Sequence, residues 1–143
     1  MTDYVLKCEP GFYNLSPDAF HRNAKHYLKC RMDFQSPTKG ISSLPYFLLC
    51  RAMELELKAR HLQTLRQKVV KDQFGHNLVE VYNALPDADK LLSISEFSLL
   101  SQASAIYKNK GFEYFEPEHT LSGYSAYPNL DELEAIVRMY VKL

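Results

Sequence analysis

The sequence predicts an all-α fold: a small bundle of four main helices plus one short helix, in a single domain over residues 1–143. Three observations predict it. The stretch Pro45–His61, PYFLLCRAMELELKARH, has no Gly and no interior Pro and is dense in strong helix formers. Apolar residues recur at steps of three and four in several further segments, each opened by a helix-start signal. The segments are joined by short polar or Gly/Pro-bearing loops, with no repeat, low-complexity tract or composition break to mark a second domain.

In chain order, residues 1–15 mix Pro10, Gly11 and Asn14 with apolar residues and read as an irregular lead-in. Ser16-Pro17-Asp18 then supplies an N-cap, a first-turn proline and a first-turn acid, so a helix is expected over about Pro17–Met32. It carries His21, Arg22 and His26, the last two sharing a face. Asp33–Ser43, with Pro37 and Gly40, is a loop. Ser42 and Ser43 are expected to cap the central helix, which runs to about Leu65 and extends towards Lys71. Gly75 ends that pattern. A short helix follows over Asn77–Leu85, stopped by Pro86-Asp87. Ser93-Ile94-Ser95-Glu96 fits a capping box and opens a helix to about Asn109, stopped by Gly111. Phe112–Pro128 is aromatic-rich and irregular, and reads as an ordered connector laid over the bundle. Asn129-Leu130-Asp131-Glu132 starts a last helix that runs to about Leu143.

The central helix poses the chemical question. Leu48, Ala52, Leu55, Ala59 and Leu62 form one apolar stripe, and flanking apolar residues cover most of the circumference, so neighbours bury it. Yet Arg51, Glu54, Lys58 and His61 form a polar line along it. Glu54 and Lys58 have the favoured i, i+4 order for an ion pair. That line either satisfies itself at the bundle edge or faces a cleft and binds a phosphate or base. His76, between Gly75 and Asn77, either caps a loop or serves as an acid or base near neutral pH. Lys58, Arg60, Arg66, Lys68 and Lys71, with His61 among them, make a basic run without an intervening acid. It is either a solvated face or a phosphate-binding surface. The aromatics of Phe112–Tyr127 either stack bases or fill a core or dimer contact.

Other classes are excluded or disfavoured. Cys8, Cys30 and Cys50 are an odd set with no Cys-x-x-Cys spacing, which argues for a reducing compartment and against a disulfide scaffold or a metal site. The Met-Thr-Asp start is no signal peptide, and the Leu44–Cys50 apolar run is too short for a membrane span. A cytoplasmic protein without a cofactor is expected. The charges balance overall, but residues 1–72 hold twelve Lys/Arg against seven Asp/Glu, and residues 73–143 hold five against ten. Such a split suits a polyanion face, or attraction between two halves or two protomers.

Taken together, the capped first helix, LLCRAMELELKARHL, FGHNLVEVYNAL, IYKNKGFEYFE and YPNLDELEAIVRMYV resemble the HEPN (higher eukaryotes and prokaryotes nucleotide-binding) superfamily over about residues 16–142. The carrying motifs are A-x-E-L-x-L-K (Ala52, Glu54, Leu55, Leu57, Lys58) and G-H-x-L (Gly75, His76, Leu78). The resemblance implies a helical bundle, often a symmetric homodimer, linked to nucleotides or RNA in toxin–antitoxin or phage-defence systems, with a protein partner encoded nearby. Many members are metal-independent ribonucleases with Arg-x4–6-His. No Arg in this chain has a His at that spacing. The nearest patterns are Arg22-x3-His26 and Lys71-x4-His76. The expectation is therefore a non-catalytic or divergent HEPN-like accessory protein that binds nucleotide, RNA or a protein partner. One alternative is a ribonuclease with His76 or His26 as base and Lys71, Arg51 or Arg22 at the phosphate. Another is a purely structural interaction module. Within the bundle, Glu54, Lys58 and His76 are expected to form one polar cluster.

Overall fold

In the computed structural model, residues 16–114 and 117–143 are described. The expected lead-in, residues 1–15, lies outside them, as do Phe115 and Glu116. The described chain is all-helical: α1 (Pro17–Asp33), α2 (Leu44–His61), α3 (Gln67–Phe74), α4 (Leu78–Asn83), a 3-10 turn (Asp87–Asp89), α5 (Ile94–Tyr107), α6 (Pro117–Leu121) and α7 (Leu130–Tyr140). The all-α bundle read from the sequence is the fold observed.

Local chemistry explains most helix starts. The Ser16, Asn77 and Asn129 side chains accept from the backbone N–H three residues on, which satisfies a donor the helix cannot pair itself. At Ser93 the capping box is complete: its hydroxyl accepts from Glu96 N–H at 3.2 Å, and Glu96 Oε1 accepts from Ser93 N–H at 2.8 Å. The start of α2 differs from expectation. Ser43 has helical dihedrals (φ −78°, ψ −13°), so its side chain cannot reach back to cap. Its hydroxyl donates to the Phe112 carbonyl at 2.8 Å instead. The Ser42 hydroxyl accepts from Leu44 N–H at 3.2 Å.

Helix α2 is the hub: it packs against α1, α4, α5 and α7. Only Leu44, Phe47, Arg51 and Arg60 on it escape full burial. Leu49, Cys50, Ala52, Met53 and Leu57 are completely enclosed. Each of the buried Leu and Met side chains contributes about 1.5–3 kcal/mol of transfer free energy. Leu28 on α1, Leu78 and Val81 on α4, Leu100 and Ala103 on α5, and Leu133, Ile136 and Val137 on α7 complete the core.

Three boundaries correct the sequence reading. The central helix does not continue to Leu65 or Lys71. It stops at His61, turns through residues 62–65, and resumes as α3 after an extended Arg66 (φ −80°, ψ 153°). No Gly or Pro forces this break. The turn lets Val70 and Phe74 return to the core, with the Phe74 ring tilted against the His61 ring at 4.7 Å. Helix α5 ends at Tyr107, where Lys110 takes a left-handed φ of 61° and Gly111 N–H reaches back to the Ile106 carbonyl at 2.8 Å. Helix α7 ends at Tyr140, and Val141 is buried in extended conformation.

The connector over 112–128 contains α6 as well as irregular chain. Among its described aromatics, Phe112 and Tyr127 cover the bundle. Phe112 stacks on Tyr46 at 5.3 Å, and Tyr127 meets both rings edge-on at 5.0 and 5.2 Å. Tyr114 is exposed.

At the opposite end of α2, Tyr140 ties α7 to the loop before α5. Its hydroxyl donates to the Asp89 carbonyl at 2.7 Å and accepts from Leu91 N–H at 2.9 Å. Burial pushes the phenol up to about 12. Because the folded value lies above that of an unfolded tyrosine, this group's stabilisation is complete below pH 10 and is lost as the pH rises towards 12. Denaturant titrations of wild type and Tyr140→Phe at pH 8, 10 and 11.5 test this. The alkaline loss of stability is expected to be smaller in the variant; equal losses would assign it to other groups.

Candidate functional site

Glu54 lies in the middle of α2 with 1 % of its surface exposed. A carboxylate taken out of water needs donors, and every donor here comes from a different turn or helix. Arg51, one turn earlier, donates through Nη1 to Oε2. Lys58, one turn later, stands 3.7 Å from the same oxygen. His76 Nδ1 from the turn before α4 is 2.7 Å from Oε1. The Tyr107 hydroxyl at the end of α5 donates to Oε1 at 3.1 Å. An ionised carboxylate only accepts, so His76 carries its proton on Nδ1. That leaves Nε2 without a partner among the described residues.

Lys58 also donates to the Gly75 carbonyl. Gly75 itself has φ 52° and ψ −124°, a conformation that only glycine adopts without strain. Its N–H closes α3 on the Lys71 carbonyl at 3.0 Å. The cluster thus fastens the Gly75–His76 turn to the central helix. The structure brings together Arg51, Glu54, Lys58 and His76 and adds Tyr107. Tyr107 carries no sequence signal beyond its place at the end of α5.

The electrostatics follow from burial and the single acid. Burial lowers the Lys58 ammonium, and Glu54 only partly offsets it. Burial also acts to lower Arg51, but Glu54 and Tyr107 outweigh it and hold the guanidinium above its ordinary value. The Tyr107 phenol is raised, first by burial and then by the Glu54 charge. Cys50, buried beneath, is raised for the same two reasons and is an inert thiol.

Above the cluster opens a groove of about 160 Å³. Arg51, Glu54, Lys58, Lys71 and His76 line it, with Phe20 on its α1 side. The His76 side chain is 55 % exposed there. Lys71 is also exposed, and its ammonium makes no ion pair among the described residues.

Other expected site residues lie elsewhere. His61 is not part of the cluster. It shares the Glu54 face but sits two turns, about 10.5 Å, farther along the axis. There its Nε2 meets the Val81 carbonyl at 2.9 Å. His26 and Arg22 are exposed on α1 and make no hydrogen bond to the cluster among the described residues. The basic run does not form one patch. The break after α2 divides it: Lys58 turns inward, and Arg60 goes to the opposite side of α2. Arg60 pairs with Asp89 at 2.9 Å and lies over the Tyr140 ring at 5.0 Å. Arg66, Lys68 and Lys71 stand on the outer surface at α3.

Sequence reasoning missed a second buried acid. Glu56, two residues from Glu54, faces the opposite side of α2 and is 4 % exposed. It holds His21 Nδ1 from α1 and has Arg60 Nη2 at 3.8 Å. A cavity of about 320 Å³ adjoins it, bounded in part by Asp18, Asp89 and Arg60. The alternation Glu54-Leu55-Glu56 inside an apolar helix was the available signal. Among the described residues no group of three or more His, Cys, Asp or Glu side chains is set to hold a metal ion.

Replacing Glu54 strands two cations, so Glu54→Gln is expected to destabilise the fold by about 3 kcal/mol. Tyr107→Phe removes one hydrogen bond and costs about 1 kcal/mol. Equilibrium urea unfolding of the two variants tests that order; a Glu54→Gln protein as stable as wild type would refute the role given to this carboxylate.

No family model, curated protein or solved structure gives a significant match to this chain.

Proposed function

We propose that the protein is a HEPN-like, non-catalytic accessory module that binds nucleotide or RNA through a phosphate held in the groove over Glu54. The carrying observation is the charge of that groove: Arg51, Lys58 and Lys71 surround one carboxylate that is already saturated with donors. An anion meets excess positive charge there; Lys71 and the remaining Arg51 N–H groups are the donors left to meet it, joined by His76 Nε2 when the imidazole is protonated on both nitrogens. The A-x-E-L-x-L-K and G-H-x-L motifs support the same reading, since their polar residues build this site. In this reading the protein works as a cytoplasmic homodimer beside a protein partner encoded nearby.

Cleavage chemistry is disfavoured because Glu54 already anchors Arg51, and Lys71 and His76 stand on either side of the α3 cap at Gly75. One feature favours the ribonuclease reading. A buried carboxylate on Nδ1 fixes the orientation of a half-exposed imidazole, the arrangement used for proton transfer.

Labelled RNA incubated with the protein, with and without EDTA, separates the two readings. Intact RNA is expected in both. Cleavage that survives EDTA and disappears in His76→Ala would replace the binding reading with the ribonuclease one. In fluorescence anisotropy, affinity is expected to fall with salt, and Lys71→Ala is expected to lower the salt slope by about one. Light scattering measures the dimer.

A further inference from the structure

We infer that the groove over Glu54 receives a terminal phosphate monoester rather than a phosphodiester inside a strand; this rests on the phosphate-binding reading above. Charge is the first argument. Arg51, Lys58 and Lys71 against Glu54 leave a net charge of +2, and +3 when His76 is protonated. A phosphodiester brings a single negative charge. A monoester brings about −1.5 to −2 near neutral pH and three acceptor oxygens.

Size is the second argument. At about 160 Å³ the groove has roughly half the smallest volume usual for a ligand pocket, ~300 Å³. It has room for a phosphoryl group and not for a nucleoside. A monoester needs space for a sugar on one side only, whereas an internal diester must lead a sugar out on both. The α1 side is walled by Phe20, and the other side holds the Gly75–His76 turn that Lys58 fastens down.

The donors form the third argument. Lys58 gives one N–H to the Gly75 carbonyl and stands 3.7 Å from Glu54, so it adds positive charge to the groove wall. Lys71 Nζ and the remaining Arg51 N–H groups are donors for the monoester oxygens, and His76 Nε2 adds a third when the imidazole is protonated on both nitrogens. The larger cavity on the other side of α2 is no competitor. Asp18, Glu56 and Asp89 bound it, and its one guanidinium, Arg60, is already paired with Asp89.

The test uses the full chain and one labelled RNA decamer in three forms: 5′-phosphate, 3′-phosphate, and hydroxyl at both ends. Affinities are measured by anisotropy at one fixed salt concentration, with inorganic phosphate as competitor. At least one phosphorylated form is expected to bind about tenfold tighter than the hydroxyl form, as charge-assisted hydrogen bonds to a dianion require. Comparison of the two phosphorylated forms shows which end is read. Inorganic phosphate is expected to abolish the preference, and so is Lys71→Ala, a change at an exposed position that leaves the fold intact. Equal binding of all three forms would overturn the inference while leaving RNA binding in place. A preference that persists in Lys71→Ala would overturn the assignment to this groove. Failure of every form and of inorganic phosphate to bind would overturn the phosphate-binding reading as well.

Discussion

A buried negative charge at Glu54 is the constraint on which the architecture around α2 depends. An isolated carboxylate in an apolar interior costs several kcal/mol, so the fold must deliver donors to it. It does so from three places: one turn either side on α2, the end of α5, and the turn that opens α4. The same requirement explains Gly75, whose carbonyl takes up the Lys58 ammonium after Glu54 has been supplied. Core packing brings the helices together, but the carboxylate decides where their ends lie.

What was legible in the sequence was local. Ser16, Asn77, Ser93 and Asn129 act on N–H groups three residues away, so their effect is written within one helical turn. The 3.6-residue period likewise placed Arg51, Glu54 and Lys58 on one side of α2. The Gly75 helix end was legible from residue type, whereas the meeting of His76 with Glu54 was expected only from the resemblance of the two motifs to the HEPN pattern.

The rest depended on contacts between distant residues. No Gly or Pro within residues 62–66 demands that the helix stop; the break accompanies the contact of Phe74, eight residues beyond Arg66, with the His61 ring. The basic run looked continuous because sequence spacing ignores the break, and its charges then parted to three surroundings. Ser43 seemed a cap because of its type, yet the Phe112 carbonyl, 69 residues away, claims its hydroxyl. His21 meets Glu56 across 35 residues, a pairing that helical periodicity within either segment does not encode.

The two acids at positions 54 and 56 have one further consequence. A helix greasy on every side can turn about its own axis among its neighbours and find several arrangements of nearly equal energy. With one acid pointing to each side, almost every such rotation strands a charge in hydrocarbon. Only the azimuth that presents Glu54 to His76 and Tyr107 and Glu56 to His21 satisfies both. The pair therefore works as an orientation key: the apolar residues supply the cohesion of the bundle, and the glutamates select which single bundle forms.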